Sequence, residues 1–99
     1  MILVRDIFRI KFGQSKQATD LWKQAVGQLK RTGFSDMRLL TDLAGAPYYT
    51  LVLESKHESL AAWEKSHETA GPDPQWRELY QRIASLTETG HREIYKIIE

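Results

Sequence analysis

The chain of 99 residues contains no cysteine, which excludes disulfide bonds and thiolate chemistry and fits a cytoplasmic protein. It has no apolar run close to the roughly 18–20 residues that a membrane-spanning helix needs, and the early charges of Arg5 and Asp6 predict no signal peptide. Glycine-rich phosphate loops and the GxSxG motif are absent. The three histidines have no ligand-like spacing, so we expect no metal site built by a single chain.

Charged residues make up 27% of the chain, but they are balanced to a net charge of +1 at pH 7. That balance argues against nucleic acid and against an anionic membrane surface as partners. The hydrophobic fraction of 41% is ordinary for a folded protein, and the length predicts one domain over residues 1–99 with a thin core.

Hydrophobic periodicity predicts a strand followed by a helix in the first third of the chain. Residues 2–12 alternate, which puts Asp6 on an otherwise apolar face and Ile7 on the other. Ser15 is a candidate N-cap for a helix that Gly33 ends. The apolar residues of this helix recur at helical spacing: Ala18, Leu21, Trp22, Ala25, Val26 and Leu29.

Three further stretches have the composition of strands. Residues 35–43 and 48–54 are joined by a short turn, which predicts an antiparallel hairpin. Residues 91–98 alternate again and are expected to form the last strand, after Gly90 ends the preceding helix.

The second crossover is predicted to be a broken helix. Ser55 and Glu58 match a capping box, which would place His57 at the exposed start of a helix. Residues 71–72, Gly-Pro, interrupt that helix, and Asp73 then serves as the N-cap of a second segment that begins at Pro74.

This order of elements predicts an α+β, ferredoxin-like βαββαβ fold: a four-stranded antiparallel sheet with its helices on one face. The other face keeps apolar side chains such as Ile7, and an exposed patch of that size is unusual in a monomer. Pairing with a second copy would cover it, so we expect a homodimer. Arg5, Arg9 and Arg38 are expected on this face, where they would bind an anion or form ion pairs between subunits.

Two stretches of the sequence carry a family resemblance. Residues 9–13, Arg-Ile-Lys-Phe-Gly, close the first strand, and residues 54–67 combine a Ser-bearing turn with a short helix that carries Trp63. The chain resembles the dimeric α/β-barrel superfamily, above all its NIPSNAP-like and antibiotic-biosynthesis-monooxygenase-like members. The resemblance implies that two copies form a dimeric α/β barrel and that a ligand lies between the helices and the sheet.

Haem-degrading members of that superfamily use an Asn on the first strand, a Trp on the second-crossover helix and a His about ten residues later. Here Asp6 stands at the Asn position, Trp63 matches the Trp, and Asp73 replaces the His. This departure argues against haem, so the resemblance implies no cofactor.

Asp6 and His67 are the candidate catalytic residues. An unpaired carboxylate on an apolar strand face would be costly, so Asp6 is either paired with a cation or backbone amide, or able to act as a general acid or base. His67 follows Trp63 by one helical turn and could accept a proton near neutral pH. A hydrogen-bonded histidine at the rim of the core is the alternative.

Phe8, Trp22 and Trp63 are the candidate substrate-binding residues, although core packing alone would also explain them. The resemblance implies a small-molecule-binding homodimer of NIPSNAP-like type, with cofactor-independent, monooxygenase-like activity on a hydrophobic or aromatic substrate. The alternative is a non-enzymatic interaction or assembly module with a packed interior. A cavity lined by Asp6 and His67 would favour the first interpretation, and a filled interior the second.

Overall fold

The computed structural model describes all 99 residues and contains four strands and three α-helices. In chain order they are β1 (Ile2–Ile10), α1 (Ser15–Leu29), β2 (Met37–Thr41), β3 (Thr50–His57), α2 (Leu60–Ala70), α3 (Pro74–Ser85) and β4 (Thr87–Lys96). A short 3₁₀ turn, Lys30–Thr32, follows α1. None of the helices has the length and apolar character that crossing a bilayer requires.

The four strands form one sheet in the order β2-β3-β1-β4, and every neighbouring pair is antiparallel. This topology confirms the predicted α+β, ferredoxin-like fold. Strands β1 and β3 lie at the centre, and β3 buries every residue except Lys56. The density of β-formers in β3 is what such a central position requires.

The core lies between the sheet and the helices, and α1 contributes most of the helical side to it. Its buried residues are Ala18, Leu21, Trp22, Ala25 and Leu29, which confirms the predicted helical stripe apart from the half-buried Val26. Leu51 and Leu53 of β3 belong to the same buried cluster. Helices α2 and α3 each bury a single residue, Ala70 and Ile83 respectively, so both pack less extensively against the core than α1 does.

The ends of the first two elements differ slightly from the prediction. Strand β1 stops at Ile10, and Phe12 lies beyond it with 82% of its surface exposed. Ser15 is the first residue of α1 rather than its cap, and no side chain caps this helix. Gly33 adopts a φ of 103° after the 3₁₀ turn, a left-handed conformation that glycine reaches without strain, so its predicted role is confirmed.

The predicted capping box at Ser55 is wrong. Strand β3 stays paired with β1 as far as His57, so Ser55 and His57 are buried strand residues that lie within 3.0 Å of each other through Oγ and Nε2. The cap of α2 is Ser59, whose Oγ accepts a hydrogen bond from the Ala62 amide at 3.1 Å. Pairing with β1 overrides the local capping signal and carries the strand three residues further than predicted.

The predicted role of Gly90 is also wrong. Helix α3 ends at Ser85, β4 begins at Thr87, and Gly90 lies within β4 directly opposite Phe8. A Cβ atom at position 90 would lie 2.7 Å from the Phe8 ring, so glycine is needed here for space. The predicted cap of α3 is confirmed, because the Asp73 side chain accepts hydrogen bonds from the first amides of that helix.

The sheet face away from the helices carries a row of alternating charges. Arg38, Glu54, Arg5 and Glu93 stand opposite one another across β2, β3, β1 and β4. Glu54 is buried and accepts a hydrogen bond from Arg38 Nε at 2.7 Å, while Arg5 Nε lies 3.0 Å from its second oxygen. The two arginines are therefore already paired with Glu54 within the chain, and their pairing with an anion or a second subunit stays a prediction.

Candidate functional site

A cavity of about 850 Å³ lies between the sheet and the helices. It forms because α2 and α3 bury so few of their side chains, which leaves the helix-facing side of β4 partly uncovered. All five site residues predicted from the sequence line it: Asp6, Phe8, Trp22, Trp63 and His67. Its volume lies within the range of about 300–1,000 Å³ that is typical of small-molecule sites.

Aromatic rings form one continuous wall of this cavity. The Phe8 and Trp22 rings stack with their centroids 5.2 Å apart, Trp76 lies 6.3 Å from Trp22, and Tyr80 lies 5.6 Å from Trp76. Trp22 belongs to the core and also lines the cavity, so core packing is confirmed and substrate binding stays a prediction. Its buried Nε1–H has no acceptor in the chain, which is rare for a buried donor.

Trp76 and Tyr80 of α3 were not predicted as site residues. Their spacing marks them as part of an apolar helix stripe, but a stripe usually means core packing. Only the structure shows that α3 stands off the sheet and leaves these rings to line the cavity together with Trp63, so that all three tryptophans of the chain meet there.

Asp6 lies on the helix-facing side of β1, directly opposite Arg92 of β4. Arg92 Nε donates to Asp6 Oδ1 at 2.6 Å, and the Asp6 side chain is 16% exposed. Asp6 therefore adopts the paired state that the sequence left as one of two options. Charge-assisted hydrogen bonds of this length are among the stronger contacts that a protein makes.

Arg92 is the functional candidate that sequence reasoning missed. Its guanidinium carbon lies 4.9 Å above the centre of the Trp63 ring, in cation–π geometry. The two contacts of Arg92 thus join β1, β4 and α2 at the cavity. No spacing rule connects positions 6 and 92, and they meet only through the register of β1 against β4.

His67 lies on α2, one turn after Trp63, and the two ring centroids are 5.3 Å apart. The residue is exposed at the rim of the cavity, and its ring forms no hydrogen bond within the chain. An exposed imidazole beside an apolar cavity can exchange protons with both a bound molecule and water. No group of three or more acidic or histidine side chains is arranged to hold a metal ion.

The fold of this chain is shared with several solved structures. A NIPSNAP family protein from Agrobacterium tumefaciens superposes with a TM-score of 0.90 at 16% identity, over 99% of this chain and 93% of that one. An uncharacterized NIPSNAP domain protein from Burkholderia xenovorans gives 0.85 at 18% identity, over 99% and 95%. SnoaB, a cofactor-independent oxygenase from Streptomyces nogalater, solved as a mutant, gives 0.74 at 12% identity, over 99% and 93%.

These likenesses confirm, at the level of the fold, the resemblance to NIPSNAP-like and antibiotic-biosynthesis-monooxygenase-like proteins. Neither a protein-family model nor a curated protein matches the sequence.

Proposed function

We propose that this protein binds a hydrophobic or aromatic small molecule in the cavity between its sheet and helices. The observation that carries the proposal is the cavity itself, about 850 Å³ in volume and walled by Phe8 and all three tryptophans. A non-enzymatic module with a packed interior would leave no such space. Aromatic walls of this kind favour flat, apolar molecules through burial and ring stacking.

We further propose that the bound molecule is a substrate, oxidised without a cofactor in a monooxygenase-like reaction. Without a cofactor, the substrate itself must supply the electrons that reduce O2. Removal of a proton from an activated CH2 group makes the ring compound electron-rich. That carbon then becomes C=O, one oxygen atom of O2 enters the product, and the other leaves as water. His67 is the base in this scheme, since its imidazole is unpaired at the cavity rim, whereas Asp6 is engaged with Arg92.

We also propose that the protein is a homodimer that pairs through the sheet face away from the helices. Leu40, Val52 and Ile7 form an apolar row across β2, β3 and β1, next to the row of alternating charges. A second copy of this face would bury what Ile7 and Leu40 still expose, since Val52 is already buried within the chain, whereas the charges already paired within each chain could stay paired. Two sheets joined in this way would make the dimeric α/β barrel that the resemblance implies.

Binding can be tested with tetralin, an apolar bicyclic probe. Because all three tryptophans line the cavity, tetralin should shift their indole N–H signals in a ¹H–¹⁵N spectrum in a saturable way. Ala84→Phe places a ring at the cavity wall and should weaken binding at least about tenfold, which corresponds to about 1.4 kcal/mol. Ala61→Phe, on an exposed part of α2 outside the lining, is the matched control and should bind normally.

The catalytic part of the proposal is tested with 2-tetralone, whose CH2 group between ring and carbonyl is acidic. Uptake of O2 should depend on the protein, and His67→Ala should slow it by roughly 10²–10⁴-fold while leaving tetralin binding unchanged. Indole signals that do not respond to tetralin would contradict the binding proposal. Normal binding with no O2 uptake would contradict only the enzymatic one.

A further inference from the structure

We propose that the exposed side of α1 carries a second ligand site, which binds a small aromatic carboxylate. The site is a groove of about 750 Å³ between α1 and the hairpin that joins β2 to β3. It shares no lining residue with the cavity between the sheet and the helices, so it does not depend on what that cavity binds.

Two aromatic rings of the groove are left almost fully exposed by the fold. Phe12 has 82% of its surface exposed and Tyr48 has 80%, and both line the groove. The Phe12 ring rests against that of Tyr49, with the centroids 5.0 Å apart and the ring planes at 58°. Rings that stay exposed at one concave surface offer a large contact area at a low cost in conformational entropy. A flat aromatic molecule is therefore a suitable occupant.

The backbone at Tyr49 is held in an unusual conformation. Its φ of 62° is left-handed, which is uncommon for a residue that has a Cβ atom. Two hydrogen bonds fix the segment: the Ile10 amide donates to the Tyr49 carbonyl at 2.8 Å, and the Thr50 amide donates to Asp42 Oδ1 at 3.0 Å. Residues that a structure holds in such conformations concentrate at ligand sites. The backbone that carries this ring is thus fixed before a ligand binds.

The charged side chains of the groove favour an anion. Lys16 and Lys23 lie two turns apart on α1, are exposed, and form no ion pair within the chain. Of the two carboxylates in the lining, that of Asp42 is engaged by the Thr50 amide. The other, Asp20, lies between the two lysines and can offset one of their charges. One ammonium group therefore remains for a ligand with a single negative charge.

Rings and lysines together define the ligand class. An exposed ion pair contributes little affinity by itself, because water screens it. Burial of an aromatic ring against Phe12 and Tyr48 must supply most of the binding free energy, and the lysines then select the anion among molecules with the same ring. A carboxylate attached directly to a flat ring meets both requirements.

The test compares 2-naphthoate, 2-naphthalenemethanol and 2-naphthylmethylammonium, which have the same ring and a charge of −1, 0 and +1. In a ¹H–¹⁵N spectrum, 2-naphthoate should shift backbone amides of residues 41–49 in a saturable way, with a Kd of about 1 mM or lower. The cation should bind there roughly 5- to 10-fold more weakly. The tryptophan indole signals report separately on the other cavity, because all three tryptophans line it and none lines the groove.

Phe12→Ala tests the ring contact and should weaken 2-naphthoate binding about three- to tenfold. Leu43→Ala is its matched control, because Leu43 is fully exposed but lies outside the groove lining, and it should bind normally. Both positions are exposed, so neither variant should disturb the fold.

The double variant Lys16→Gln, Lys23→Gln tests the charge and should remove the preference for the anion while leaving 2-naphthalenemethanol binding unchanged. Its matched control is Lys30→Gln, Arg31→Gln, which removes two positive charges from exposed positions outside the groove and should keep the preference.

Absence of a saturable shift at residues 41–49 with 2-naphthoate up to about 10 mM would overturn the second site. So would equal affinity for the anion and the cation, or an anion preference that survives the loss of both lysines. A response confined to the indole signals would place 2-naphthoate in the cavity, which overturns the second site and supports the proposed function. Shifts at residues 41–49 that saturate without any indole response support the second site whatever the cavity binds.

Discussion

Two polar residues beneath the helices, Asp6 and His57, are accommodated in different ways. Asp6 has a charged partner in Arg92 and stays in contact with the cavity. His57 has no charged partner; its Nε2 lies 3.0 Å from Ser55 Oγ and its ring meets Phe34 edge-on at 5.3 Å. Burial lowers the pKa of His57 below its ordinary value of 6.5, because the protonated ring would lose its hydration. The folded state therefore favours the neutral form of the His57 ring.

His57 should make the fold less stable in mild acid. Because its pKa is lower in the folded than in the unfolded chain, the unfolded chain takes up the proton first as the pH falls. The contribution of the neutral ring to stability is complete above pH 6.5 and is lost as the pH drops from there through the folded pKa. Urea unfolding at pH 7.5 and pH 5.5 measures this loss.

His57→Gln keeps a polar side chain without the titration, so its stability should fall less over the same pH interval. His67→Gln changes an exposed histidine and should keep the wild-type pH dependence. If the free energy of unfolding falls equally with pH in wild type and His57→Gln, this ring is protonated as easily in the folded as in the unfolded chain.

At the scale of elements, α2 is one of the two helices that bury only a single residue, the other being α3. It buries only Ala70 against the core, so its formation relies more on local contacts than that of α1, which buries five residues. Its N-terminus is closed by Ser59, and its C-terminus by Gly71, whose N–H donates to the His67 carbonyl at 3.1 Å. Since α2 carries both Trp63 and His67, the geometry of the cavity depends on these end contacts.

Ser59→Ala should therefore lower the free energy of unfolding by about 1 kcal/mol, the usual cost of losing an N-cap side chain. Ser15→Ala is the matched control, because Ser15 opens α1 without capping it and should change the stability by less than about 0.5 kcal/mol. Denaturant titration of both variants gives the comparison. If both variants lose the same free energy of unfolding, the Ser59 hydroxyl contributes nothing specific to the stability of α2.

The existence of every element could be predicted from the sequence, because alternating and helical spacing of apolar residues reflects burial on one face. The ends were less predictable. Ser55 and Glu58 satisfy a local capping rule, yet β3 continues through Ser55 because its partner strand β1 is long enough to pair with it. In the sequence Gly90 resembles a residue that ends a helix. In the structure it is needed because any side chain there would clash with Phe8, a residue 82 positions away.

The candidate site divides in the same manner. Asp6 was predictable because a carboxylate on an apolar strand face is costly unless it is paired or functional. Trp63 and His67 were predictable because they lie on the same stripe of one helix. Arg92 was not, since its partnership with Asp6 depends on strand register. The cavity was expected only from the family resemblance and not from the residue pattern, because the packing of α3 against the sheet depends on the whole chain rather than on any local signal.

At the scale of the molecule, one face of the sheet is covered by helices and the other is not. On the open face, Tyr95 donates to Glu93 at 2.8 Å, which lowers the pKa of the Glu93 carboxyl and raises that of the Tyr95 phenol. The charges of this face are thus largely satisfied within the chain. The half-buried Ile7 and Leu40, on either side of the buried Val52, are the apolar surface that the proposed dimer would cover.

Light scattering should therefore give twice the mass of one chain at micromolar concentration. Ile7→Glu puts a carboxylate into the apolar row and should weaken self-association by roughly 100-fold or more, since a buried unpaired charge costs several kcal/mol. Gln24→Glu adds the same charge on an exposed part of α1 and should leave the mass unchanged. A monomeric wild type would contradict the dimer proposal.

The absence of a side chain at position 90 has a consequence for what the protein can accommodate. The Phe8 ring occupies the place where a methyl group would otherwise sit, and that same ring forms the floor beneath Trp22. Any larger residue on β4 at this point would collide with this ring, which would have to move. The position of the Phe8 ring, and with it one side of the cavity, is therefore set from the strand side by the residue at position 90.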